Sequence, residues 1–253
     1  MVVDITTGFV GRLRARDPDA WFELWETFGP VIRSQLHRWG RGQIGFETVQ
    51  DLSQETLTAL AGAIDTHDPS RGVRFSTWLL AIARYTLTDE FDRRNAQKRG
   101  SGKKPVELEA ASGQGDGQAG PDEVYATAIF GAKVDRALRL VERESDFVDF
   151  SVFRMRILEG HPGKQVAGDL GLSEAGVSRR LTKVRTALRS RLSEVMERFS
   201  FTEEELSEAG RKGLDPNPKK AQDALFDEAL AEIFHRYSAF RTQTEGPAGG
   251  PTR

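Results

Sequence analysis

The chain of 253 residues contains no cysteine, which excludes disulfides, thiolate metal ligands and a thiol nucleophile. Its four histidines, His37, His67, His161 and His235, lie tens of residues apart with no HxxxH or HExxH pair, so no metal site is expected. Long apolar runs are missing as well. The longest, Trp78 to Ala83, has six residues, far short of the roughly 20 that cross a bilayer, and no membrane partner is expected. Met1 to Val10 holds Asp4 and no basic residue, a poor export signal, and a cytoplasmic location is the expectation. The chain also lacks a Walker-type glycine loop, a nucleophile elbow and a base paired with a nucleophile, so neither an enzyme nor a cofactor site is expected. Finally, there is no overall excess of either charge: the net is −2, too little for the whole chain to be drawn to nucleic acid.

What is present is unevenly spread. Residues 1–100 are neutral, 101–150 carry net −4, 151–198 carry net +5 and 199–253 carry net −3, so one basic block sits between acidic neighbours. Residues 100–121 contain six glycines, two prolines and no apolar periodicity, the composition of a flexible linker spanning about 25 Å root mean square. On either side, apolar residues recur at three and four. Trp21, Leu24, Trp25, Phe28, Ile32, Leu36 and Trp39 form one such series, in which Gly29-Pro30 should bend or break the helix. Leu52, Leu57, Leu60, Ala61 and Ile64 form a second, Phe75 to Arg94 a third, and Val134, Leu138 and Val141 a fourth. No alternating strand pattern is found. The expected fold is all-α, with two small helical domains over 1–99 and 122–199, the linker over 100–121 and a helical extension over 200–253. In the extension, Thr202 to Glu205 reads as a capping box. A long helix opening at Asn217-Pro218 should bury Ala221, Leu225, Ala229, Ile233 and Tyr237, flanked by Phe226, Leu230 and Phe234.

The most specific local signal is Pro162 to Leu192, which reads as a helix-turn-helix. Pro162 suits a first helical position, Val166, Ala167 and Leu170 make a short apolar face, and Gly171 permits the left-handed backbone that ends a helix. Ser173 can cap the next helix. There Val177, Leu181, Val184 and Leu188 make one stripe, with Gly176 as an interior weak point. Between Glu174 and Arg191, the six basic residues Arg179, Arg180, Lys183, Arg185, Arg189 and Arg191 face a single acid, Glu174. A helix in the major groove needs donors near its N-terminus for base edges and cations further along for phosphates. Ser178, Arg179, Thr182 and Lys183 fit the first role and Arg185 and Arg189 the second; the alternative is a merely solvated basic face.

A second cluster covers Val73 to Lys104. Over 84–104, seven basic side chains face three acidic ones, directly after an aromatic-rich helix start. Phe75, Trp78 and Tyr85 beside Arg93 and Arg94 are a combination suited to single-stranded DNA, on which bases stack while cations hold the backbone. Trp78 and Phe75 equally suit a core.

Taken in order, Pro18 to Pro30, Asp51-Leu-Ser-Gln-Glu-Thr-Leu57, Phe75 to Arg84, Asp89 to Arg94 and the helix-turn-helix resemble the bacterial RNA polymerase sigma factors of the sigma-70 family, specifically the compact extracytoplasmic-function group. The resemblance covers about 170 residues. It implies that Asp51, Gln54 and Glu55 dock on core RNA polymerase. It also implies that the loop Thr66 to Arg74 and the helix after it, with Arg74, Phe75, Trp78, Arg84, Tyr85, Arg93 and Arg94, recognise and melt the minus-ten promoter element, and that the helix-turn-helix reads minus-thirty-five DNA. Core polymerase and promoter DNA are then the partners, with an anti-sigma factor as a further one. Tyr85 stands where the family often has asparagine, and Gly176 and Ser178 where it often has threonine and lysine. The extension beyond about residue 200 lies outside the compact pattern and is expected either to pack as core or to mask a DNA-binding surface. The rival reading is a stand-alone helix-turn-helix regulator whose N-terminal helices dimerise or sense a signal.

Overall fold

The computed structural model describes residues 3–40, 43–68, 72–100, 121–215 and 222–245. They form eleven α-helices and no strand: α1 (Val3–Arg14), α2 (Pro18–Gly40), α3 (Phe46–Ala63), α4 (Phe75–Gly100), α5 (Pro121–Glu144), α6 (Phe147–Phe153), α7 (Gly163–Asp169), α8 (Glu174–Arg198), α9 (Glu203–Leu206), α10 (Glu208–Arg211) and α11 (Asp223–Glu245). A π-helical turn, Arg154–Leu158, extends α6. The expected linker falls almost wholly outside the described residues. Two compact units divide the chain, one built chiefly on Thr7–Ile129 and the other on Phe130–Ala239.

In the first unit α2, α3 and α4 pack pairwise. Leu24, Phe28, Ile32 and Leu36 are fully buried, whereas Trp21, Trp25 and Trp39 of the same series are half-buried at its margins. Pro30 does not break α2, which runs on to Gly40. The missing N–H and ring clash cost about 3 kcal/mol, and burying Phe28, Val31 and Ile32 around it, at about 1.5–3 kcal/mol each, outweighs them. On α4, Phe75, Leu79, Ala83, Leu87 and Phe91 recur every fourth residue and are all buried; on α3 the buried face is Val49, Leu52, Thr56 and Leu60, with Leu57 half-buried beside it. The α1–α2 corner turns on Arg16, whose φ of 58° lies in the left-handed region. Its guanidinium donates to Ala61 O (2.7 Å) and pairs with Asp65 (2.7 Å), contacts that hold the unfavourable backbone in place.

In the second unit α8 is the central element, packed on α6, α7 and α9. Val134, Leu138 and Val141 are buried on α5. The expected turn forms: Val166 and Ala167 are buried, Gly171 has φ +64°, and the Ser173 side chain accepts from Gly176 N (3.1 Å). Pro162 is the residue before the helix rather than its first member, and Gly176 lies in the first turn rather than the interior. Val177, Leu181, Val184, Leu188 and Leu192 are all buried, so the α8 stripe follows the spacing. Past α8, the forward half of the expected capping box forms, with Thr202 Oγ1 accepting from Glu205 N (3.2 Å), while Glu205 Oε2 accepts from Phe201 N (2.9 Å), one residue before the cap. Asn217-Pro218 lies outside the described residues, and the helix described there begins at Asp223. Its buried face is Phe226, Leu230 and Tyr237, while Leu225 is 55% exposed. The apolar stripe is therefore rotated by one residue from the expected one over its first two turns.

Candidate nucleic-acid interface

Six cations project from α8 between Arg179 and Arg191, and their surroundings differ. Ser178, Arg179 and Thr182 are exposed. Among the described residues Arg179 alone of the six cations has no acidic partner. Arg180 and Lys183 converge on Asp149 of α6, with Lys183 Nζ 2.6 Å from Oδ2 and Arg180 on Oδ1. The Asp149 side chain is almost entirely buried. The hydrogen bond from Lys183 holds its carboxyl below the ordinary aspartate range, opposed by burial and reinforced by Arg180. Arg185 and Arg189 meet α11. Asp227 takes Arg185 in a two-oxygen fork, with Oδ1 accepting from Nε at 2.9 Å and Oδ2 paired with Nη2. Asp223 lies 3.4 Å from Arg185 Nη1 and 2.9 Å from Arg189 Nη2. Burial opposes the Arg185 charge, but the Asp227 hydrogen bond and both carboxylates outweigh it and hold the guanidinium above its ordinary value. The Arg189 guanidinium lies 4.3 Å over the Phe226 ring. Arg191 joins Glu144 (2.7 Å) and Glu194 (2.5 Å).

On α4 the expected residues fall into three groups. Phe75 is 1% exposed and packs against Phe28 in a tilted arrangement with 4.9 Å between centroids; its ring serves the core and offers no face to a base. Arg94 is a fastener: it donates to Glu90 (2.6 Å), to Thr48 Oγ1 (3.0 Å) and to Gln43 O (3.3 Å), tying α4 to the start of α3. The rest keep part or most of their surface exposed. Tyr85 is 70% exposed, and Trp78, seven residues earlier on the same side of the helix, is half-buried against the His67 ring at 4.9 Å. Burial holds His67 below the ordinary histidine range, with the nearby Arg14 adding to it. Arg84 is exposed with its guanidinium 5.9 Å from the Trp39 ring centroid. Arg93 pairs with Glu90 yet keeps 60% of its side chain exposed, and Arg74, half-buried, supplies the carbonyl that accepts from Trp78 N (3.0 Å).

Asp51, Gln54 and Glu55 are exposed on one side of α3 and line a groove of about 540 Å³ whose opposite wall is Glu90, Arg93 and Arg94 of α4. Leu52 points inward and is buried. The groove is polar and carries both signs of charge, which suits a partner with complementary charges of its own.

Residues 24–97 match sigma-70 region 2. The region 2 segment runs from the first buried leucine of α2 into the last turns of α4, so it contains the α3–α4 groove together with Trp78, Arg84, Tyr85 and Arg93. It supports a sigma-70 family sigma factor, with core RNA polymerase and promoter DNA as its partners and promoter recognition as its task. No curated protein and no solved structure matches the chain. Among the described residues no helix is long and apolar enough to cross a membrane, and no group of His, Asp and Glu could hold a metal ion.

Several functional side chains were out of reach of sequence reading. Asp149, Asp223 and Asp227 partner the α8 cations from 31 to 42 residues away, and no spacing rule connects such positions. The local charge count found the cations but not what neutralises them.

Proposed function

We propose that this chain is a sigma factor of the extracytoplasmic-function group, a specificity subunit without a reaction of its own that works in the cytoplasm. Asp51, Gln54 and Glu55 dock on core polymerase through the α3 groove. On α4, Trp78 and Tyr85 stack melted minus-ten bases while Arg74, Arg84 and Arg93 hold the strand; each stacked base contributes about 1–3 kcal/mol, set against a few kcal/mol to unstack it. Phe75 and Arg94 support that surface from behind. On α8, Ser178, Arg179, Thr182 and Lys183 reach minus-thirty-five base edges, with Arg185 and Arg189 directed at phosphates. An anti-sigma factor, where one acts, would cover the exposed faces of α3 and α4.

The observation that carries this reading is the region 2 match over residues 24–97, on a segment whose outward α4 face combines Tyr85, Trp78 and Arg84. The test is transcription from a genomic DNA pool by purified core polymerase with and without the chain. Defined start sites should appear only when it is added. Operator-like binding by the chain alone, with no start sites conferred on polymerase, would instead identify a stand-alone regulator.

A further inference from the structure

The solvent side of α8 is divided. Its first half, with Ser178, Arg179 and Thr182, is open; in its second half Arg185 and Arg189 are covered by the beginning of α11, while Thr186 and Ser190 stay exposed. There two acids four residues apart, Asp223 and Asp227, meet two arginines four residues apart, Arg185 and Arg189. The arginine side chains retain 14% and 7% of their exposure. Asp227 grips Arg185 through both carboxylate oxygens, the two-point geometry by which a guanidinium also takes a phosphate. The buried Arg189 Nε has no hydrogen-bond partner among the described residues.

We infer that the first turns of α11 form a built-in phosphate mimic: Asp223 and Asp227 occupy the duplex-phosphate sites of α8, so that DNA must displace them to engage Arg185 and Arg189. This rests on the reading of α8 as a DNA-contacting helix. The remainder of α11 is anchored by other means. Leu230 is fully buried, and Tyr237 lies so close to Gly131 of α5 that a Cβ there would stand 2.9 Å from its ring. The two acids are the first and fifth residues of a 23-residue helix, so unwinding its start frees both arginines at the cost of the Phe226 contact while the anchors stay seated. Helix ends open more readily than helix centres, where packing is continuous. Apolar anchoring alone would not need two aspartates in register with two arginines.

The experiment measures binding of the full chain to a fluorescent 25-base-pair duplex of mixed sequence over a salt series. Each phosphate neutralised contributes about 0.9 to the slope of log affinity against log salt. Asp223→Asn with Asp227→Asn should bind about tenfold tighter at 0.1 M salt, with a slope steeper by about 1.8. Adding Arg185→Gln and Arg189→Gln to that variant should erase the gain; since Arg189 is buried, Arg185→Gln alone, expected to remove about half of it, serves if helical content falls. A gain that survives loss of the arginines would be general charge relief and would overturn the mimic. Unchanged affinity and slope in the double asparagine variant, with Arg179→Ala still weakening binding, would overturn the mimic and leave α8 as a DNA contact. No response to any of these variants would overturn both.

Discussion

Arg179 stands apart from its five cationic neighbours on α8 because no acid among the described residues reaches it. On the proposed reading of α8 as a DNA-contacting helix, such a side chain would contact a base. Arg179→Ala should cost about 1–3 kcal/mol of discrimination between matched and mismatched upstream elements, measured by competition on polymerase holoenzyme; an equal loss on every duplex would point to a phosphate contact. Tyr85→Ala, which removes a ring exposed over 70% of its surface, should leave the fold intact. It should weaken promoter opening by about 1–3 kcal/mol, read as permanganate reactivity of unpaired thymines. Asp149 makes a different demand, on pH. Its folded-state value lies below the unfolded one, because Lys183 and Arg180 favour the carboxylate against the pull of burial. Its contribution is therefore complete above the ordinary aspartate value of about 3.9 and is lost as pH falls through the lower folded one. Asp149→Asn should lower stability by about 1–2 kcal/mol at pH 7, with the difference from the parent shrinking below about pH 4 in urea titrations. At this scale the sequence disclosed which residues carry charge but not which remain available. The acids that engage Arg180, Lys183, Arg185 and Arg189 come from α6 and α11, and only the fold brings them there.

Among the helices, legibility followed the strength of local chemistry. The α7–α8 turn could be read because each of its requirements is short-range: a left-handed glycine at 171, a capping serine at 173 and a stripe at three and four. Ser173→Ala should cost about 1 kcal/mol, visible as a lower thermal midpoint. Packing overrode local preference at two places. Of the bend or break expected at Gly29-Pro30, the break does not occur, and α2 continues because residues on both sides of Pro30 enter the core. On α11, Leu225 and Ala229 match helical periodicity as well as Phe226 and Leu230 do, but the second pair buries more apolar surface and turns the helix toward itself; Ala221, expected on the same stripe, lies outside the described residues. The position of α11 also depends on a missing side chain. Gly131→Val would press on Tyr237 and should destabilise the unit by about 1–3 kcal/mol, with α11 as the element displaced, detectable as faster amide exchange along it.

For the molecule as a whole, the even charge balance conceals sorted blocks, and the described residues of the acidic block belong, as far as Ala239, to the same compact unit as the basic block before it. The extension is thus no appendage. Leu214, Phe226, Leu230 and Tyr237 are all buried, and at about 1.5–3 kcal/mol apiece their removal is comparable with the 5–15 kcal/mol that stabilises a typical domain. Deleting residues 201–253 should therefore abolish cooperative unfolding of this unit in calorimetry, which makes paired Asp→Asn substitutions the sharper probe of its role. The contact between Asp227 and Arg185 has one more consequence. A ligand carried on the same chain competes at a fixed, high local concentration, whereas loose DNA competes only at its bulk concentration. If α11 is displaced as proposed, promoter DNA already gripped elsewhere by polymerase would gain the same advantage of tethering, and a pair of carboxylates would suffice to make the protein ignore stray duplex and yield to the one that its machinery delivers.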